Sequence, residues 1–262
     1  MISSVPPAFI LIIGALLIPL FSGRAKKLYM LLLPVASFIN MMHLPDGLSM
    51  TVAFMGLDIG FSQVDKLSLL FGYIFHLILL ITIIYSLHLD DDIQHVASIA
   101  YAGSALGAIF ATDFFVLFLF WETLTITATL LVWARRTKSA RASGMRYLLV
   151  HGVGGLALLA GIVLRYHATG SIAFTPEAVA DLTQFNHISS YLIFLGFGVN
   201  CAWPLLHNWL TDAYPEGTIT GTIALSAFTT KTAVYVLARG YAGTEVLVLI
   251  GAVMAGFPIF YA

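Results

Sequence analysis

Residues 198–239 read GVNCAWPLLHNWLTDAYPEGTITGTIALSAFTTKTAVYVLAR, and they set Pro204, His207 and Lys231 into sequence otherwise apolar enough for a bilayer. Hydrocarbon offers no water to a freed backbone group or a charge. A helix broken at Pro204 and a lysine in mid-span are therefore tolerated only where they face protein or a wet cavity. The stretch reads as the place where a multi-pass membrane protein brings polar groups to mid-membrane for ion passage.

Composition agrees with that reading. Of the 262 residues, 60% are hydrophobic and 10% charged, against roughly 25% charged in ordinary soluble domains. The formal net charge is -1, and the basic residues gather in two short loops rather than along one face, which argues against nucleic acid as a partner. The single cysteine, Cys201, excludes an internal disulfide or a thiolate metal cluster. No basic segment precedes the first apolar run, so that run reads as a retained span.

Spans of roughly 20 apolar residues are expected at 5 to 22, 28 to 44, 67 to 89, 95 to 112, 114 to 134, 147 to 165, 189 to 210, 219 to 239 and 244 to 262. This is an all-α polytopic bundle of about nine transmembrane helices. By parity, the basic loops 23–27 and 135–146 share one side. The positive-inside rule makes that side cytoplasmic and the N-terminus external. Asp90, Asp91 and Asp92 fall on the same side and dissent weakly. A hairpin is expected over 50–65, and a short surface helix from Pro176 to Leu182 in the segment 167–190. Gly103, Gly107, Gly154, Gly155 and Gly161 read as sites of close helix packing.

Four polar positions stand out inside the spans. Glu122 lies eight residues into the fifth span, about 12 Å deep, where a charge costs on the order of 2.5 to 3.5 kcal/mol. Thr125 and Thr129 continue a polar stripe from it. The bland alternative is a protonated acid clamped to a neighbouring helix. Lys231 lies in the middle of the eighth span. It either pairs with a carboxylate or sheds its proton under desolvation, and both states suit a proton carrier; a static Glu122 to Lys231 ion pair is the bland alternative. His207 follows the proline break and Asn200 precedes it, an arrangement that aims half-helix dipoles at mid-membrane. His207 is the favoured relay, because imidazole exchanges protons near working pH. His151 and His76 are weaker candidates, each also readable as a satisfied buried histidine. Trp121, Trp133, Trp203 and Trp209 read as packing or interface aromatics. No GxSxG elbow, phosphate loop or HExxH motif is present, and a membrane enzyme is disfavoured because the polar residues lie near the membrane centre.

The runs PLLHNWLTDAYPEG (204–217), AFTTKTAVYVLAR (227–239) and FWETLTITATLLV (120–132) resemble the proton-antiporter-like membrane subunits shared by respiratory complex I and the Mrp-type cation/proton antiporters, most closely the D-type Mrp subunits. The resemblance runs from about Val64 onward. It implies about fourteen helices in two inverted repeats, each with a broken helix, joined to sister membrane subunits in a hetero-oligomeric complex. Glu122 falls on the family's fifth-helix glutamate and Lys231 on its eighth-helix lysine. Asn200 falls where most members carry the seventh-helix lysine that pairs with that glutamate, a departure that puts the usual switch in doubt.

The expectation is thus one transmembrane antiporter-like domain over residues 1–262, with a first repeat within about 95–262 and no second repeat, as a fragment or a split subunit. It would sit in the cell membrane and translocate protons, with sodium as the candidate counter-ion, along Glu122, Lys231, His207, Asn200 and His151. It is expected to be a transporter subunit rather than an enzyme, without cofactor or metal. The alternatives are a proton-pumping subunit of a complex I-like oxidoreductase and a non-conducting scaffold.

Overall fold

The computed structural model describes residues 5–54, 56–175 and 188–256. Pro7 opens α1 (Pro7–Leu16), where its missing N–H costs nothing. A 3-10 turn over Ile18–Leu20 leads into α2 (Gly23–Met42), which carries Pro34 inside it. The expected hairpin forms from β1 (Gly47–Phe54) and β2 (Leu57–Val64), antiparallel, with Gly56 at φ 82° in the turn. It begins three residues before the expected start at 50, and it is the one two-stranded sheet among the described residues of an otherwise helical chain.

Helix starts follow capping chemistry. Asp65 and Ser68 cap α3 (Lys66–Ser86) reciprocally, each side chain bonding the other's backbone N–H at 2.8 Å. α4 (Asp92–Phe110) is followed by Asp113, which caps α5 (Phe114–Trp133) by accepting from Val116 N–H at 2.9 Å. Thr137 caps α6 (Lys138–Thr169), which ends at Gly170 in the left-handed region, φ 68°. After α7 (Ile188–Asn200) the helical path is interrupted over 201–207, and α8 (Asn208–Ala213) resumes it. A 3-10 turn over Tyr214–Glu216 leads to α9 (Ile219–Gly240), capped by Thr218, and α10 (Glu245–Gly256). The expected surface helix at 176–182 lies outside the described residues, as do 257–262 of the ninth expected span.

Among the described residues four helices, α3 to α6, are long and apolar enough to cross a membrane. α4 is the axis: Ala97, Ala100, Ala105, Gly103 and Gly107 keep it thin, and α1, α3, α5 and α9 close on it. A Cβ on Gly103 would collide with Leu11, Ile12 and the Ala8 carbonyl of α1, so only glycine permits that approach.

The two ends of the bundle are tied differently. At one end Lys26 pairs with Asp92 at 2.6 Å and Arg136 with Asp91 at 2.9 Å, which brings the basic segments 23–27 and 135–146 together at the start of α4; expected as loops, 23–27 is the first turn of α2 and 138–146 the first turns of α6, since their polar side chains do not prevent helix formation. Two of the three dissenting aspartates are thereby partners of those segments. Arg146 grips Asp212 with two bonds, 2.9 and 2.7 Å. At the other end Arg239 binds Asp65 at 2.5 Å and the Tyr235 hydroxyl at 2.7 Å. Asp113 lies buried there, accepting from Gly60 N–H at 2.7 Å, while Phe114 N–H donates to Ile172 O at 2.9 Å. One carboxylate thus caps α5 and holds the hairpin.

Asp113→Ala removes both charge-assisted bonds and leaves the Gly60 and Val116 N–H groups unpaired, a loss of about 3 kcal/mol. The expected result is a thermal midpoint in detergent lowered by roughly 6 to 12 °C, read by fluorescence-detected size exclusion. An unchanged midpoint would show that the hairpin and the α5 cap do not depend on this residue.

Candidate functional site

The expected site residues fall into two groups. The first lies inside the bundle where α5, α6 and α7 meet. Glu122 turns its carboxyl toward α6 against bare backbone: a Cβ on Gly155 would fall on Glu122 Oε1. That oxygen is buried and has no hydrogen-bond partner among the described residues. Thr125 and Thr129 donate their hydroxyls along their own helix, to Trp121 O at 3.2 Å and Thr125 O at 2.8 Å. The polar stripe read from the sequence exists, but it spends its protons on α5.

One turn before Gly155, His151 is fully buried on the same face of α6. Its Nδ1 lies 3.0 Å from Tyr147 O, so Nδ1 carries the proton and Nε2 is left as the acceptor. Nε2 meets no partner among the described residues. The ring stacks on Tyr147 at 3.9 Å and meets the edge of Trp209 at 4.4 Å. Trp209 in turn donates Nε1–H to Val199 O at 2.9 Å, drawing α8 against the end of α7. Gly154 packs on Val199, and the next residue, Asn200, is fully buried with both amide atoms unpaired. Trp121 packs against Phe197 with ring centroids 5.3 Å apart and the planes tilted by 56°.

The second group surrounds the interruption. Ala202 at φ 58° and Leu205 at φ 71° are both left-handed without being glycine, a conformation that costs on the order of 1–3 kcal/mol per residue. This backbone lines a cavity of about 480 Å³ with Cys201, Pro204, His207, Thr211, Thr230 and Lys231 on its wall. Lys231 donates to Ser226 O at 2.6 Å and Thr230 Oγ1 at 3.3 Å. The sequence reading expects this lysine to be buried; in the structure it is exposed, because its side chain lies along α9 into the open cavity. Neither Glu122 nor Lys231 belongs to any of the five ion pairs among the described residues, so the static Glu122 to Lys231 pair is not formed.

Sequence reasoning passed over the groups that lie between the two clusters. Tyr101 and Tyr147, both fully buried, converge on Thr229 of α9. Tyr147 OH lies 3.3 Å from Thr229 Oγ1, and Tyr101 OH accepts from Thr229 N–H at 3.0 Å. Tyr147 stands four residues before His151 on one helix face, which was the available signal. Of the weaker candidates, His76 has both ring nitrogens satisfied, Nδ1 by Gly72 O at 2.8 Å and Nε2 by Ser37 Oγ at 2.9 Å. It is a satisfied buried histidine.

Residues 111–255 match the family model described as NADH:quinone oxidoreductase/Mrp antiporter, TM. The chain is 30% identical over 250 residues to the A-type subunit of the Na(+)/H(+) antiporter of Alkalihalophilus pseudofirmus, covering 86% of this chain and 31% of that protein. It is 28% identical over 150 residues to the M-type subunit of the NADH-quinone oxidoreductase of Escherichia coli, covering 52% of this chain and 29% of the relative. The chain therefore spans under a third of the length of these curated relatives. In fold it is similar to a chain of the Mrp complex from Dietzia, with a TM-score of 0.75 at 18% identity over 95% of this chain and 51% of that one. A chain of respiratory complex I from Thermus thermophilus gives 0.75 at 19% identity over 93% and 55%. With more than half of its residues inside the family match, and with the quoted motifs at 120–132 and 204–239 inside it, the chain belongs to the NADH:quinone oxidoreductase/Mrp antiporter family of membrane subunits.

Proposed function

We propose that this chain forms the first half of an antiporter-like subunit that moves protons across the membrane in exchange for sodium, within a multisubunit cation/proton antiporter. The observation that carries the reading is Glu122: a buried carboxyl oxygen set against the backbone of α6 with no static partner among the described residues. The clamp alternative needs a hydrogen-bond partner for this acid, and the packing supplies none among the described residues. A carboxyl held at that cost without a structural return suits a group that takes up and releases protons.

In this reading Glu122 and the bare Nε2 of His151 exchange protons within the α5–α6–α7 interior, where Asn200 offers an amide that can donate or accept. The polar walls suit bridging water. Tyr147 and Thr229 lead from His151 toward α9, and Lys231 with His207 completes the path at the cavity beside Pro204. α7 and α8 together form one membrane helix broken at 201–207, the nine apolar segments all span, and residues from about 95 onward make up the first repeat. The N-terminus faces outward, with loops 23–27 and 135–146 in the cytoplasm. The match to the antiporter relative over 86% of the chain supports exchange; a redox-driven pump is the second reading, because oxidoreductase relatives carry the same family's 120–239 motifs.

Lys231→Ala is expected to lower dye-reported proton flux by at least about tenfold in vesicles carrying the assembled complex at equal protein level. Full flux would remove this lysine from the path. Glu122→Gln keeps shape and hydrogen bonds but cannot ionise, and it is expected to be equally inactive. A glutamine variant with wild-type flux would make Glu122 a packing residue and favour the scaffold.

Orientation has its own test. α6 runs 32 residues from Lys138 to Thr169, about 48 Å, longer than the ~30 Å hydrocarbon core. In a Cys201→Ser background, Thr169→Cys should react with a membrane-impermeant thiol reagent on intact cells, and Lys138→Cys only after permeabilisation. The reverse pattern would invert the topology.

A further inference from the structure

The groups proposed to carry protons lie on α5 to α9, and α2 packs outside them, against α1 and the outer face of α3. A groove of about 350 Å³ runs between those two helices, with Pro34, Val35 and Phe38 on one wall and Tyr73, Leu77 and Leu80 on the other. Val35, Tyr73 and Leu77 are exposed along it. At its floor His76 has both ring nitrogens occupied, so the histidine offers no free polar atom and the groove suits an apolar occupant.

The hairpin joins the end of α2 to the start of α3, and Phe38 meets Tyr73 at 5.8 Å and His76 at 5.7 Å. The two helices therefore run antiparallel, and the groove leads from Phe38 toward the start of α2. Positions 24, 27, 31, 35 and 38 recur at helical spacing on one face, so Arg24 and Lys27 stand at the mouth of the groove. Both are exposed, and neither forms an ion pair among the described residues. Their acidic neighbours are already engaged, Asp92 by Lys26 and Asp91 by Arg136, leaving Asp90 as the one nearby carboxylate outside those pairs.

We propose that the α2–α3 groove binds an anionic phospholipid, with one acyl chain along Val35, Phe38 and Leu77 and the phosphate on Arg24 and Lys27. Length selects this occupant. From Lys27 to Phe38 is eleven residues, about 16 Å of helix, which matches one leaflet of a ~30 Å hydrocarbon core. Charge points the same way, since an acidic headgroup supplies the counter-charge that the two interfacial cations lack among the described residues. Basic clusters at the end of an interhelical groove are the arrangement that recognises acidic headgroups.

Native mass spectrometry of the purified full chain, titrated with phosphatidylglycerol and phosphatidylcholine, tests the proposal. The wild type should retain phosphatidylglycerol in preference, and Arg24→Gln with Lys27→Gln should lower that preference by on the order of tenfold. Leu77→Trp, which fills the groove, should lower retention of both lipids. A photo-crosslinking residue at position 77 of the otherwise native chain, activated in membranes, covers the case of a variant that fails to fold: the expected adduct has the mass of a phospholipid. An unchanged lipid preference in the double variant, or a protein adduct at position 77, would overturn the proposal.

Discussion

Close approach of helices at bare backbone is the constraint on which this fold depends. α4 admits four helical neighbours because alanine and glycine line it, and α1 makes its close approach at Gly103, which lacks a side chain. The same device operates at the centre. Gly155 lets α6 come up against the carboxyl of Glu122, Gly154 seats Val199, and Gly161 meets the Ser189 carbonyl and Ile193 near the start of α7. In a bilayer such contacts replace the hydrophobic driving force that separates helices from water, since lipid is as apolar as leucine. Packing at glycine therefore decides where the ionisable groups can sit.

The consequence is an interior that is tightly packed yet incompletely paired. Glu122 Oε1, His151 Nε2, Trp121 Nε1 and both amide atoms of Asn200 are buried without protein partners among the described residues. Buried polar groups are nearly always bonded in static cores, and exceptions concentrate where a group works. Charge pairing is instead spent at the two ends, where Asp91, Asp92 and Asp212 hold the basic segments and Asp65 holds Arg239.

Much of the fold was readable because bilayer physics imposes a strong pattern on sequence. The long helices from 66 to 169 follow from apolar runs, but α6 starts at Lys138, nine residues before the expected 147, because its basic first turns, capped by Thr137, carry no apolar signal. The hairpin followed from Gly56 and Gly60 between polar residues. The site was legible in part. Glu122, Lys231 and His207 announce themselves because a polar residue in an apolar span is costly, whereas Tyr101, Tyr147 and Thr229 do not, since tyrosine and threonine are common in spans and carry no charge.

The sequence by itself determined that the chain is a helical membrane protein and which family it belongs to, because both depend on composition and local order. Only the tertiary structure decided how the candidate site residues are grouped. Glu122, His151 and Asn200 share the interior of α5, α6 and α7, while Lys231 and His207 share the wall of a separate cavity, with no ion pair between Glu122 and Lys231. That division follows from the rotation of each helix about its own axis and from the left-handed turns at Ala202 and Leu205, which depend on long-range packing and leave no periodic trace in the chain.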